Sequence, residues 1–282
     1  MKKRWVGLLL TVLLAAGLSV TVLAAEQQKR TEKAVIQYGM AAEGYITAQF
    51  TGKTQKRLKA QVKGPTATYT YNMTAGKVET FPLSDGNGSY RVTVYENTTG
   101  TKYATVVSAS FDVKLKDEFA PYLAPNQYVD YSVASNAVAK GKALSTGISE
   151  PLQKVAKIYD FVVNHLTYDK QKAATVQSDY LPVLDQVLAE KKGICFDYAA
   201  LMTGMLRSQG IPCKLVVGYA GTAYHAWISV WTKETGWIDN VIYFDGNAWH
   251  RMDPTFASSG KDSGAVMQYI GDGKNYTPKY NY

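Results

Sequence analysis

The stretch from Gly193 to Pro212 constrains the fold more than any other, because it spells out one helix together with both of its ends. Tyr198, Leu201, Met202, Met205 and Leu206 recur at three- and four-residue intervals, the spacing that lines one helical face. Gly210-Ile211-Pro212 closes the helix. Cys195 stands at its start, where unpaired N–H groups and the positive end of the helix dipole favour a thiolate that otherwise forms only near about pH 8.5. A cysteine in such a place is either a small buried side chain or a nucleophile, and its surroundings decide which. They include Lys214-Leu215-Val216-Val217-Gly218-Tyr219, a short β-branched strand, and Tyr224 to Trp231, which alternates as a second strand. His225 falls at the start of that second strand, within reach of a loop and solvent. Asp253 ends a third segment, just before a Pro that central sheet pairing does not tolerate. Thiol, imidazole and carboxylate thus each lie at the end of an element.

The chain of 282 residues begins with Lys2, Lys3 and Arg4, followed by an apolar run to Leu23 and then Ala24-Ala25. This is the layout of a secretory signal peptide over residues 1–24, with an uncleaved membrane anchor as the alternative. No Cys lies in or just after the run, so nothing suggests lipid modification. Both readings predict a protein that is secreted or held in the cell envelope. Roughly 258 residues remain, a comfortable length for two domains. The formal charge of +8 includes three basic residues of the leader, and no dense Lys/Arg block or zinc-finger spacing follows. Nucleic acid is therefore not an expected partner, whereas acidic envelope polymers are plausible neighbours. Only two cysteines are present, too few for a disulfide framework in an exported chain. A Cys195–Cys213 bridge is the alternative to two separate roles.

Residues 45–50, 57–62, 67–71, 78–81, 90–95 and 103–115 read as short strands broken by turn residues, which predicts an Ig-like β-sandwich over 34–116. In 90–95, Val92 and Val94 share one face while Arg91, Thr93 and Tyr95 share the other, so one side is expected to be core and the other wet. No titratable cluster accompanies these strands, and the domain reads as a spacer or binding module. A linker over 117–148, punctuated by Pro121 and Pro125, contains a helix expected at 132–144. A second helix begins near Pro151 with Ser149 as its cap, and its stripe of Leu152, Val155, Ile158, Tyr159 and Val162 is core. His165, at its end, complements the dipole and reads as structural. The 21 tyrosines invite a carbohydrate-binding story, but strand tyrosines that bury a ring and wet a hydroxyl account for them.

The series Gly193-Ile194-Cys195, Tyr198-Ala199-Ala200-Leu201, Leu206-Arg207, Gly210-Ile211-Pro212, Gly218-Tyr219, His225-Ala226-Trp227 and Asp253-Pro254-Thr255 resembles the transglutaminase-like core. Tyr159-Asp160-Phe161-Val162 and Tyr168-Asp169 resemble the helix and loop that precede it. The resemblance runs from about Ser149 to Phe256, and the amino-terminal part resembles the arrangement of secreted bacterial members. It implies an α+β, papain-like fold over 149–282, in which the helix carrying Cys195 packs on an antiparallel sheet carrying His225 and Asp253. Cys195 is then the nucleophile, His225 the base and acid, and Asp253 the group that orients the imidazole. The residues support this reading, since a thiolate needs an imidazole as ion-pair partner and proton donor, and the imidazole needs a carboxylate to fix its tautomer.

Residues 232–247 interrupt the short hairpin that would bring His225 and Asp253 together. We expect 233–240 to leave the sheet, so that the two functional strands pair directly; Asp239 is the fallback carboxylate. The oxyanion is met by the Cys195 N–H and one further donor, with Gln186 and Tyr168 as candidates. Cys213 reads as a packing residue and His250 as a surface or cross-strand residue. The three histidines fit no zinc site, no Asp-rich loop demands calcium, and no cofactor is expected. The resulting expectation is thioester-mediated acyl transfer or hydrolysis on protein or peptide carboxamides associated with the envelope, with any membrane contact made through an uncleaved leader. The alternatives are a cysteine peptidase of the same fold and a catalytically silent cell-surface binding module.

Overall fold

The computed structural model describes residues 27–239, 242–244, 249–251 and 276–282. The apolar leader expected over 1–24 and Asp253 lie outside them. Among the described residues, no helix is long and apolar enough to cross a membrane.

The amino-terminal half is built of strands joined by turns: β1 (Gln28–Arg30), β2 (Ala34–Gln37), β3 (Tyr45–Phe50), β4 (Leu58–Lys63), β5 (Thr68–Met73), β6 (Val78–Pro82), β7 (Gly88–Asn97) and β8 (Tyr103–Val113). They form two four-stranded antiparallel sheets, in the orders β1-β2-β3-β6 and β5-β4-β7-β8. The period-two alternation of the sequence explains which side of each is core. Strand β3 buries Ile46, Ala48 and Phe50; β4 buries Leu58, Ala60 and Val62. The inner faces meet where the Tyr71 ring of β5 lies 4.6 Å from Phe81 of β6. Strand β7 buries Val92 and Val94 as expected, with Tyr90 beside them, but Thr93 on the opposite face is buried as well. Its hydroxyl lies 2.9 Å from that of Ser108 on β8, a cross-strand pair that takes the place of water.

The carboxy-terminal half mixes helices with strands. Helix α1 (Asn136–Ser145) starts later than the sequence suggests, because its first N–H groups are met from another element. Asp185 accepts from the Asn136 and Ala137 amides, each at 2.9 Å. Helix α2 (Pro151–His165) turns the expected stripe inward, although the N-cap position is Glu150 rather than Ser149. His165 stacks on Phe161 and contacts the Leu188 carbonyl at 2.9 Å, which agrees with a structural role. Strand β9 (Thr167–Tyr168), α3 (Lys170–Thr175), α4 (Leu184–Glu190) and β10 (Lys192–Gly193) lead to α5 (Cys195–Arg207), with β9 and β10 paired in parallel. Helix α5 is buried at every residue from Asp197 to Arg207, more completely than an amphipathic stripe requires. It packs on α1 and α2 at one side and on the following sheet at the other.

That sheet comprises β11 (Cys213–Ala220), β12 (Ala223–Thr232) and β13 (Gly236–Ile238), with β16 (Tyr276–Asn281) on the far side of β11; β14 (Ile242–Phe244) and β15 (Trp249–Arg251) form a separate antiparallel pair. The expected excursion over 233–240 is corrected here. Residues 233–235 make a tight turn, and Gly236, Trp237 and Ile238 return beside Thr232, Trp231 and Val230. Among the described residues β12 pairs with β11 and β13, while β15, the strand leading toward Asp253, pairs with β14. A three-residue turn suffices for a hairpin, and a Gly with φ of +68° at position 236 supplies the left-handed backbone it needs.

The tail forms more of the core than a loop with a short edge strand would. Strand β16 pairs with β11 from Val216 to Ala220, and Tyr282 is buried. Gly218 is required for this approach, because a Cβ there would come within 2.1 Å of the Thr277 carbonyl oxygen. Tyr282 packs edge-on to Tyr71 and Tyr128, and Tyr69 lies 5.4 Å from Tyr280. One apolar cluster therefore runs from the strands of the first half into α5.

Candidate active site

Cys195 is the first residue of α5 and half-buried. The preceding amide, Ile194 N–H, donates to Asp197 Oδ2 at 2.8 Å. This is half of a capping box, reaching back from the third helical position to close the first turn. Gly193 makes room for it, since a Cβ there would lie 2.5 Å from Asp197 Cβ. Asp197 is fully buried, and Lys172 Nζ and the Tyr180 hydroxyl also donate to it.

His225 is the third residue of β12, paired across from Gly218 of β11, and 7% exposed. Alternation puts Ala226, Ile228 and Val230 on the side of α5, and His225 with Trp227 on the other. The His225 ring lies 6.3 Å from Trp227 and 6.4 Å from Tyr276. Because β12 begins at the rim of a cleft, both His225 and Ala226 nevertheless line it, together with Cys195. The cleft has a volume of about 530 Å³. The structure thus brings thiol and imidazole to one opening from two elements 30 positions apart in sequence.

The remaining candidates divide clearly. Tyr168 lines the cleft, whereas Gln186 is exposed on α4, donates to Glu190 at 2.7 Å and lines a different cavity. Asp239 follows β13, whose register sets it beside Ser229, four residues along β12 from His225; at roughly 3.3 Å per residue that is about 13 Å. Its charge instead opposes the fall in the Lys214 pKa that burial causes. Asp239 is therefore too distant to orient His225. Cys213 is buried, its Sγ 3.5 Å from Thr203 Oγ1, and burial pushes its thiol up to about 11. Both cysteines are free thiols, so the bridge between them is not formed. Among the described residues, no group of three His, Cys, Asp or Glu side chains could hold a metal ion.

Several cleft residues carry no sequence signal. Asn72 of β5 and Gln127 and Tyr128 of the linker form part of the lining, so the amino-terminal strands shape the cleft rather than serve only as a spacer. Gln127 is held from behind, donating to the Asn72 carbonyl at 2.7 Å and to buried Glu79. Tyr128, Tyr224 and Tyr282 add phenol groups; burial raises all three pKa values, Tyr128 to about 12, and keeps them protonated at neutral pH. Asp179 is the one carboxylate among the described lining residues, and none is Lys or Arg. Asp197 could have been found from its place three positions into the helix.

A thiol at a buried helix start and an imidazole thus line one tyrosine-rich cleft of a mixed α/β fold. Residues 139–254 match the model of the transglutaminase-like superfamily. It is 29% identical over 133 residues to the uncharacterized protein YebA of Bacillus subtilis, covering 40% of this chain and 17% of that protein. It is 32% identical over 68 residues to a protein-glutamine gamma-glutamyltransferase of Pseudomonas aeruginosa, covering 19% of this chain and 10% of the relative. The chain thus spans only a small part of either. A crystal structure of a putative cysteine protease from Cytophaga hutchinsonii superposes with a TM-score of 0.37 at 17% identity, over 81% of this chain and 73% of the other.

Proposed function

We propose that this chain is an exported transglutaminase-like cysteine enzyme with a papain-like core, which forms a thioester from a protein or peptide carboxamide. The observation that carries this reading is the convergence of Cys195 and His225 on one cleft. In the first step the Cys195 thiolate attacks the carboxamide carbon. The C–N bond then breaks, and the imidazolium of His225 gives its proton to the departing ammonia or amine. In the second step His225 takes a proton from an incoming amine or water as that nucleophile attacks the thioester, and Cys195 is released as thiolate. Asp253 keeps the imidazole in the productive tautomer, and the Cys195 N–H, with Tyr168 as candidate second donor, meets the oxyanion.

The similarity to a protein-glutamine gamma-glutamyltransferase supports a glutamine side chain as acyl donor. A basic, apolar leader at residues 1–24 supports export and a substrate in the envelope. Purified native chain and Cys195→Ala are to be compared for ammonia release from glutamine peptides, amine incorporation and peptide cleavage. The expected result is ammonia release by the native chain alone. Amine incorporation marks a crosslinking acyltransferase, and backbone cleavage a peptidase. Identical behaviour of the two proteins in every assay would overturn the enzymatic reading in favour of a binding module.

A further inference from the structure

Residues 170–181 cross the mouth of the cleft with little apolar packing. Helix α3 buries none of its residues, and every residue from Ala173 to Asp179 is exposed. Cavities lie on both sides of this segment. The cleft is on one side, where Gln177, Ser178 and Asp179 line it; a second cavity of about 410 Å³ is on the other, and Tyr180 and Leu181 face both. A partition with open space on either face is drawn from the least stable part of a fold unless something specific anchors it.

The anchor is polar and buried. Lys172 Nζ donates to Asp197 Oδ2 at 2.8 Å and to the Tyr180 hydroxyl oxygen at 2.6 Å, and the Tyr180 hydroxyl donates to Asp197 Oδ1. The side chain of Asp197 is wholly buried and that of Lys172 largely so, at 27% exposure. A carboxylate in that position is tolerated only while its partners remain: losing Lys172 leaves a buried charge uncompensated, and losing Tyr180 takes a donor from one carboxylate oxygen. The same Asp197 oxygen that receives Lys172 also receives the Ile194 amide, one residue before Cys195. A single carboxylate therefore fixes both the partition and the start of the cysteine helix.

We propose that Lys172, Tyr180 and Asp197 form a latch that holds residues 173–181 as a wall of the cleft in register with Cys195, and so sets how tightly the site grips a polypeptide substrate. The substrate part rests on the enzymatic reading above; the latch does not. Lys172 and Tyr180 are positioning residues, acting through the wall they hold.

The test uses the full chain with Lys172→Met, Tyr180→Phe as a second break, and Lys172→Arg as the conservative control. Hydrogen exchange of residues 173–181 is expected to quicken about tenfold or more in both breaks, while α5 keeps its native protection. With a glutamine-containing peptide as donor, KM is expected to rise about fivefold or more while kcat stays within about twofold, the pattern of lost binding rather than lost chemistry. Lys172→Arg restores both toward native values. Native exchange over 173–181 in both breaks overturns the latch, as does loosening of α5 to the same degree. Faster exchange with native KM overturns its role in gripping substrate. If the native chain turns over no carboxamide, the enzymatic reading fails on its own, and protection of Cys195 from iodoacetamide by the same peptide decides instead. Better protection in the native chain than in the breaks supports the proposal, and equal or absent protection overturns it.

Discussion

The guanidinium of Arg207 donates to the Tyr282 carbonyl at 2.6 Å, joining the end of the cysteine helix to the residue that follows β16. It also donates to the Cys213 carbonyl at 2.9 Å and the Ala124 carbonyl at 2.7 Å. Arg207 is 3% exposed, these three partners are main-chain oxygens, and burial lowers its pKa. Three backbone segments are thus gathered by one planar fork, whose geometry a compact ammonium does not reproduce.

Arg207→Met therefore takes the side-chain donor from the Cys213 and Ala124 carbonyls, while the Tyr282 oxygen keeps the Leu215 N–H at 2.9 Å. It is expected to cost about 3 kcal/mol of stability. Urea titration, with the slope unchanged, measures the loss. A change below about 1 kcal/mol would show that the Cys213 and Ala124 carbonyls find other partners.

The two thiols differ enough in setting to be told apart by chemistry. Cys195 opens on the cleft, whereas Cys213 is buried and its thiol is pushed up to about 11. Iodoacetamide at pH 8 is expected to label Cys195 roughly a hundredfold faster, with Cys213 reacting only in denaturant. Peptide mapping of the native chain reads the ratio, and comparable labelling of both would contradict the packing described for β11.

Asp253 and Asp239 are the two candidates for the orienting carboxylate, and the register of β13 sets Asp239 about 13 Å along β12 from His225. Asp253→Asn is expected to lower kcat/KM about a hundredfold or more, as loss of the tautomer-fixing group does. Asp239→Asn is expected to stay within about twofold of native. The opposite ranking in a steady-state assay would reassign the orienting carboxylate.

Burial raises the pKa of Tyr69, Tyr71, Tyr128 and Tyr131 above the ordinary 10.0, Tyr128 and Tyr131 to about 12. The folded state holds these protons more tightly than the unfolded chain. Their contribution is therefore complete below pH 10 and is lost as pH rises from 10 toward 12. The thermal midpoint is expected to be flat from neutral pH to about 9 and to fall steeply beyond about 10. A midpoint unchanged at pH 11 would mean that the tyrosine cluster is wet.

Local pattern carried much of the fold into view. The six strands expected in the first half lie at β3 to β8, with ends moved by at most two residues, because period-two burial is written directly into side-chain order. Helix α5 was legible for a similar reason, with Gly and Pro marking its close. What was not legible depends on pairing across distance. The return of Gly236–Ile238 onto β12 depends on a turn and an edge, and the eight-residue interval 233–240 reads equally well as an excursion. The start of α1 is set by Asp185, 49 residues away, so no local cap at that position could reveal it.

Taken alone, the sequence determined which residues could do the chemistry. A thiol before an apolar helix and an imidazole at a strand start are properties of short segments, fixed by hydrogen-bond termini and periodicity. Only the tertiary structure decided what surrounds them. Asn72, Gln127 and Tyr128 reach the cleft because two sheets and the tail share one apolar cluster, and Lys172 and Tyr180 reach Asp197 because a buried carboxylate must find donors wherever the chain can bring them. Such contacts arise from burial shared between distant segments, which no local spacing encodes.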